Sequence, residues 1–197
     1  MPPRLRAKDT ALIIVDAQVS SFDPITNIEP IRLRDNLVAL ATAARILSVP
    51  IILTAGRKPG IDGVFLPELL TLAADASFIE RTHADAFDDP SFARSVEALQ
   101  KSNLIIAGLA LEIGVCFSAI SARRAGYDVC VPIDCCGSVD DASLRAGLAQ
   151  FASAGIQEYT LAALLIALLG DFAMPVAPKI LALIKTRGQN VARTFGN

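Results

Sequence analysis

A strong charge of either sign is missing from this sequence. Its 197 residues carry 18 Lys and Arg against 20 Asp and Glu, a formal charge of −2. A chain that binds DNA or RNA needs a basic footprint for the phosphates, so nucleic acid is not an expected partner. Long apolar runs are missing too. The longest, Leu161 to Leu169, falls far short of the roughly 20 residues that cross a bilayer as a helix. Near Met1 the run Ala11–Val15 is stopped at once by Asp16, too short for the apolar part of a signal peptide. No membrane partner is expected.

Histidine is nearly absent. His83 stands alone, which excludes a multi-histidine metal site. A Ser-His-Asp triad would depend on that one residue, and no Gly-x-Ser-x-Gly turn accompanies it. Neither Gly-x-Gly-x-x-Gly nor a P-loop pattern occurs, which argues against nucleotide binding. Neither a metal nor a cofactor is expected. The four cysteines, Cys116, Cys130, Cys135 and Cys136, include two neighbours and do not form a disulfide framework. A cytoplasmic, thiol-reducing location is the expectation.

What the sequence has in excess is apolar residues, at 53%. They fill a sheet buried on both faces or an interface between copies. With no repeat or linker, residues 1–197 read as a single domain. Short β-branched runs alternate with helical spacing. Strands are expected at Ala11–Val15, Pro50–Thr54, Ser77–Glu80, Asn103–Ala107, Asp128–Ile133 and Ile156–Tyr159. Helices are expected at Pro30–Leu47, Ser91–Gln100, about Glu112–Ala125 and about Asp140–Ala154, with further helix to the end broken near Pro175. Gly56 to Gly63 reads as loop. Strands apolar throughout belong to a parallel sheet covered on both faces. The fold class is therefore α/β, a three-layer α/β/α arrangement around a central six-stranded, mostly parallel sheet. Leu161–Leu169 has too few polar positions for an exposed helix, so it is either core or a homo-oligomer contact.

Ligands of such sheets bind outside the carboxyl ends of the strands. Asp16, Thr54, Arg81, the Gly108 segment and Asp134 all fall there. Asp16 follows an apolar strand directly, where desolvation suits a carboxyl group to proton transfer, although Asp also caps turns at strand ends. Arg81 either offsets Asp16 and binds an oxygen or pairs with Glu80 at the surface. Cys130 reads as core. Cys116 lies in the first turns of a helix, where the dipole lowers a thiol pKa, but small residues also pack at such places. Cys135 and Cys136 follow Asp134 beside the same edge.

The chain resembles the isochorismatase-like cysteine hydrolases from about Ala11 to Phe172. The matching pieces are Ile-Ile-Val-Asp16-Ala-Gln18, Val-Pro50-Ile-Ile-Leu-Thr54, Arg81 with Asp85-Ala86-Phe87, Leu-Ile-Ile-Ala-Gly108, Ala125-Gly126-Tyr-Asp-Val129 and Asp134-Cys-Cys-Gly137. Asn27-Ile-Glu-Pro30, Leu66-Pro-Glu-Leu69 and the Arg81 stretch look most similar to the YcaC-like branch. The resemblance implies a catalytic Asp, a cationic partner and a Cys that attacks an amide-type carbon to form a covalent intermediate. It assigns Asp16 as base and Arg81 as partner. Arg81 stands at the family's lysine position, as also in the YcaC-like branch.

At the nucleophile the sequence departs from the family. The family segment Gly-x-x-Thr-Glu/Asp-x-Cys corresponds here to Gly108-Leu-Ala-Leu111-Glu112-Ile-Gly114, followed by Val115-Cys116. Gly114 occupies the position of the thiol and Leu111 that of the Thr. Counting back from Gly126-Tyr-Asp gives the same register. Cys116, two residues on, is turned by about 200° on a regular helix and would need a distorted first turn to substitute. Cys135 or Cys136 is the other thiol within reach. Glu112, Leu111, Phe87 and Cys136 are the expected substrate-binding residues. Two functions follow from the resemblance: a hydrolase of a small amide-type C–N bond working through a cysteine (Cys116, or else Cys135 or Cys136) with Asp16 as base and Arg81 as partner, or a non-catalytic relative that binds a small ligand or serves as an assembly unit. Relatives also imply a homo-oligomer.

Overall fold

The computed structural model describes residues 5–57, 63–73 and 77–195, without the side chains of 187–195. Its sheet is built from β1 (Thr10–Val15), β2 (Ile51–Gly56), β3 (Ser77–Arg81), β4 (Asn103–Leu109), β5 (Asp128–Pro132), β6 (Cys136–Gly137) and β7 (Gln157–Tyr159). The order is β3-β2-β1-β4-β5-β7, with the two residues of β6 beside β4, and every pairing is parallel. Residues of β1, β2 and β4 are buried throughout, as continuous apolar runs covered on both faces require. The α/β class holds. The sheet has a seventh strand because Cys136-Gly137 is too short a segment to carry a periodic signal.

The helices are α1 (Pro30–Ile46), α2 (Pro67–Leu72), α3 (Pro90–Ala98), α4 (Cys116–Arg124), α5 (Asp141–Ala154), α6 (Leu161–Leu169) and α7 (Ala177–Phe195). Several have starts that the sequence dictates. Asp89 accepts from the backbone N–H of Ser91 and Phe92 at 2.8 and 3.1 Å and opens α3, with Pro90 in its first turn. Asp140 caps α5 through Ser143 N–H at 2.7 Å, and Gly155, at φ 69°, ends it. Helix α2 has no counterpart among the expected helices; at six residues it is too short for periodicity to mark. Of the expected loop Gly56–Gly63, Gly56 closes β2 and residues 58–62 lie outside the described residues.

Helix α6 settles the two readings of the apolar C-terminal run. Leu161, Leu164, Leu165, Leu168 and Leu169 are buried within the chain, where the helix packs against α1 and α7. It is core. Among the described residues no helix is long and apolar enough to cross a membrane.

The strand order reverses direction between β1 and β4, and such a switch point opens a crevice at the carboxyl ends. Val15 and Gly108 are partners there. Gly108 has φ 130°, and a Cβ on it would lie 1.9 Å from the Val15 carbonyl oxygen. Only glycine lets the two strand ends approach this closely.

Candidate active site at the strand switch point

Asp16 follows the last residue of β1 with φ 51°. A non-glycine residue in the left-handed region is uncommon and costs energy unless its surroundings hold it. Here its N–H donates to the Thr54 carbonyl at 2.8 Å, and its side chain is anchored on three bonds. Oδ1 accepts from Gly56 N–H at 2.6 Å and from Arg81 Nη1 at 2.7 Å; Oδ2 accepts from Arg81 Nη2 at 3.0 Å. Both residues are buried. The two-point geometry suits a planar guanidinium and a carboxylate. A buried pair of this kind leaves one charge stranded if the other is removed.

Arg81 ends β3, and its Nη2 also donates to the Ala84 carbonyl at 3.3 Å. Its Nε finds no partner among the described residues. The surface alternative fails because Glu80 pairs with Arg57 instead, at 2.6 Å and exposed. The segment carrying Ala84 is clamped onto α4. Asp85 accepts from Ser121 Oγ at 2.5 Å and from Phe87 N–H at 2.9 Å, and Ser118 Oγ accepts from Ala86 N–H at 3.0 Å. Sequence reasoning misses these serines, since nothing in a helix pattern marks a hydroxyl that grips a distant loop.

After β4 the chain makes a single wide π-helical turn, Leu111–Val115, before α4 begins. This wide turn replaces the expected start of a regular helix at Glu112. It brings Gly114 onto the end of β1. A Cβ at Gly114 would sit 3.1 Å from Asp16 Oδ2, 3.1 Å from Val15 Cγ1 and 3.4 Å from the Leu109 carbonyl oxygen. Asp16, Arg81 and the Gly114 turn therefore meet at one point.

The other expected residues are dispersed. Leu111 turns away toward α5, where a Cβ on Gly147 would come within 2.4 Å of its Cδ2; a large apolar side chain fills that helix contact rather than the crevice. Phe87 packs edge-on against Phe92 at 5.2 Å and against Tyr127 at 6.2 Å. Glu112 takes a hydrogen bond from Ser138 Oγ on Oε2 at 2.8 Å, while its Oε1 is buried without a partner among the described residues. Ser138 in turn donates its N–H to Asn27 Oδ1 at 2.7 Å, which ties the turn to the segment before α1. Asp134 accepts from Leu161 N–H at 2.7 Å and so caps α6. Thr54 Oγ1 bonds the Ile79 carbonyl at 2.9 Å; β2 runs two residues further than expected, which leaves Gly56 at the sheet edge. His83 is exposed.

None of the four cysteines is in a disulfide, and all are buried. Burial pushes Cys116 up to about 11, with the Glu112 carboxylate adding to the rise. Burial likewise drives Cys130 and Cys136 up to about 12. The Cys136 thiol donates to the Pro132 carbonyl at 3.4 Å, and that of Cys135 lies 3.8 Å from the Asn36 carbonyl. A thiol at 11 is ionised in about one molecule in ten thousand at pH 7. Any lowering by the helix start is outweighed by the loss of water around Cys116.

A family model described as the isochorismatase domain matches residues 10–162. The chain belongs to the isochorismatase family. It is 34% identical over 158 residues to the probable hydrolase YcaC of Escherichia coli strain K12, covering 80% of this chain and 76% of that one. Its structure superposes on YcaC from Pseudomonas aeruginosa, solved with hexane-2,5-diol and covalent acrylamide, with a TM-score of 0.90 at 30% identity. That match covers 100% of this chain and 99% of the other. The E. coli YcaC crystal structure, described as an octameric hydrolase of unknown specificity, gives a TM-score of 0.86 at 30% identity over 96% and 99% of the two chains.

Proposed function

We propose that this chain is a small-ligand-binding member of the isochorismatase family that lacks thiol hydrolysis and works as a homo-oligomer. The observation carrying this reading is that the residue facing the Asp16 carboxylate, where a Cβ would lie 3.1 Å from Oδ2, is a glycine. The thiols elsewhere are buried, and three are held mostly protonated. Asp16 and Arg81 neutralise each other, so the crevice favours an uncharged polar ligand such as a small amide over a free anion or cation. Four cysteines without a disulfide suit a reducing, cytoplasmic setting. Assembly is supported by the octameric E. coli relative.

A second reading has a specific observation in its favour: the Asp16–Arg81 pair is intact, and the similar YcaC proteins are described as hydrolases. In it the Cys116 thiol gives its proton to Asp16 and attacks an amide carbon. Asp16 passes that proton to the nitrogen, which leaves as the amine, and water then cleaves the thioester to a carboxylic acid and restores the thiol.

Titration calorimetry with a panel of small primary amides, run beside an ammonia-release assay, separates the two. The first reading expects binding heat with no ammonia. Ammonia release that iodoacetamide abolishes, and that is lost in Cys116→Ala, overturns it in favour of the second.

A further inference from the structure

Serine is a poorer helix former than alanine, because its hydroxyl competes for nearby backbone groups. Helix α4 nevertheless carries two, Ser118 and Ser121, each followed by an alanine. Two serines of other helices spend the hydroxyl inside their own helix: Ser95 Oγ donates to the Ser91 carbonyl and Ser153 Oγ to the Ala149 carbonyl, each at 2.9 Å. Those of α4 reach outward instead. Ser121 Oγ donates to Asp85 Oδ2 at 2.5 Å, a bond strengthened by the carboxylate charge. Ser118 Oγ, fully buried, accepts from the Ala86 N–H at 3.0 Å. Spaced three apart, the two stand on one face of the helix.

The segment they hold begins next to the carbonyl that Arg81 uses. Arg81 Nη2 donates to the Ala84 carbonyl at 3.3 Å beside its bond to Asp16 Oδ2 at 3.0 Å. Thr82, His83 and Ala84 are exposed, so the shape of this loop is set at its two ends, by β3 and by α4. From this we infer that Ser118 and Ser121 are positioning residues of the ligand site: they fix Asp85 and Ala86 so that the Ala84 carbonyl aims the Arg81 guanidinium at Asp16. The inference rests on the ligand-binding part of the proposed function. One helix then governs both walls of the crevice. The wide turn leading into α4 presents Gly114 to Asp16, and the next turn of α4 sets Arg81 through the loop. The spacing between the two walls follows from one rigid element, which holds a binding geometry more closely than an exposed loop does.

Magnetic resonance of protein labelled with nitrogen-15 in arginine reads the guanidinium itself. A guanidinium gripped at several points turns slowly about its Cζ–N bonds and gives separate Nη proton signals. Arg81 is the one buried arginine among the described residues, so its signals are those whose protons exchange most slowly with water. In the Ser118→Ala/Ser121→Ala double variant they are expected to merge, and the dissociation constant for propionamide to rise several-fold, with circular dichroism unchanged. Ser121→Thr, which keeps a hydroxyl, and Ser153→Ala, on α5, are expected to match the wild type in both readouts. Arg81 signals that stay separate in the folded double variant overturn the proposal, since the serines then only pack the loop. Where the double variant does not fold, Ser121→Ala, at the half-buried hydroxyl, is judged by the same signals. Wild-type protein that binds no primary amide overturns the ligand-binding reading, while the arginine spectrum decides the positioning separately.

Discussion

The Cβ direction of Gly114 ends 3.1 Å from Oδ2 of Asp16, so the turn after β4 meets the carboxylate with bare backbone. Any other residue there would have to place its side chain against Asp16 and Val15.

Replacing that glycine tests the geometry directly. In Gly114→Cys the neighbours must yield by a few tenths of an ångström, an overpacking cost of about 1–3 kcal/mol, and the protein is expected to remain folded. The new thiol would lie beside a carboxylate that can take its proton. Mass-mapped labelling with iodoacetamide at pH 7.5 should find it modified faster than Cys116, Cys130 or Cys136. Labelling no faster than Cys116 would show that the position does not face a base.

The Asp16–Arg81 pair should be asymmetric under substitution. Arg81→Met strands a buried carboxylate and is expected to lower unfolding stability in urea by about 3–5 kcal/mol. Asp16→Asn keeps an oxygen for the Gly56 N–H and should cost less. The double variant should lose less than the sum of the two, because each single change removes the same contact. Additive losses would mean that the two residues act independently.

Alkaline pH should weaken the protein before its lysines titrate fully. Cys116, at about 11, and Cys130 and Cys136, at about 12, are raised above an ordinary thiol near 9. The folded state therefore holds these protons more tightly than the unfolded chain does. Their contribution is complete below about pH 9 and is lost as pH rises through 11 and 12. Unfolding midpoints from pH 8 to 11 should fall, and Cys130→Ala should flatten the decline. A wild-type midpoint constant across that range would contradict the assignment.

Two glycines separate strain from collision. Gly126, at φ 96°, has nothing within 4 Å of the point a Cβ would occupy, whereas Gly108 meets the Val15 carbonyl at 1.9 Å. Gly126→Ala is expected to cost about 1–2 kcal/mol, the backbone penalty alone. Gly108→Ala should cost more than about 4 kcal/mol or prevent soluble accumulation, read from yield and thermal midpoint. Equal effects would mean that the β1–β4 contact can relax.

The frame of the molecule was legible because its strands are continuous apolar runs, as at Leu12–Val15 and Leu104–Ala107, and each marks its own place in a parallel sheet. Asp16 and Arg81 could be set at strand ends for the same reason. Their mutual bond stood as one of two alternatives for Arg81, and spacing could not choose it over Glu80, because the bond crosses β2 and depends on a positive φ that nothing beside Asp16 announces. The wide turn at Leu111–Val115 was hidden as well. Helical spacing assumes a regular pitch, and it was the match to the family's Thr position that put Leu111 at the crevice, whereas it packs on Gly147. Ser138 and the serines of α4 act through long-range hydrogen bonds, which composition and spacing do not encode.

Arg81 closes the outermost strand on its side of the sheet and grips a carboxylate two strands inward, spanning β2 like a rivet. A guest that competes for either charge must loosen that rivet, so occupancy of the crevice and fraying of β3 become a single equilibrium. Deuterium uptake at the amides of Ser77–Arg81 would then report a visitor without any turnover having taken place.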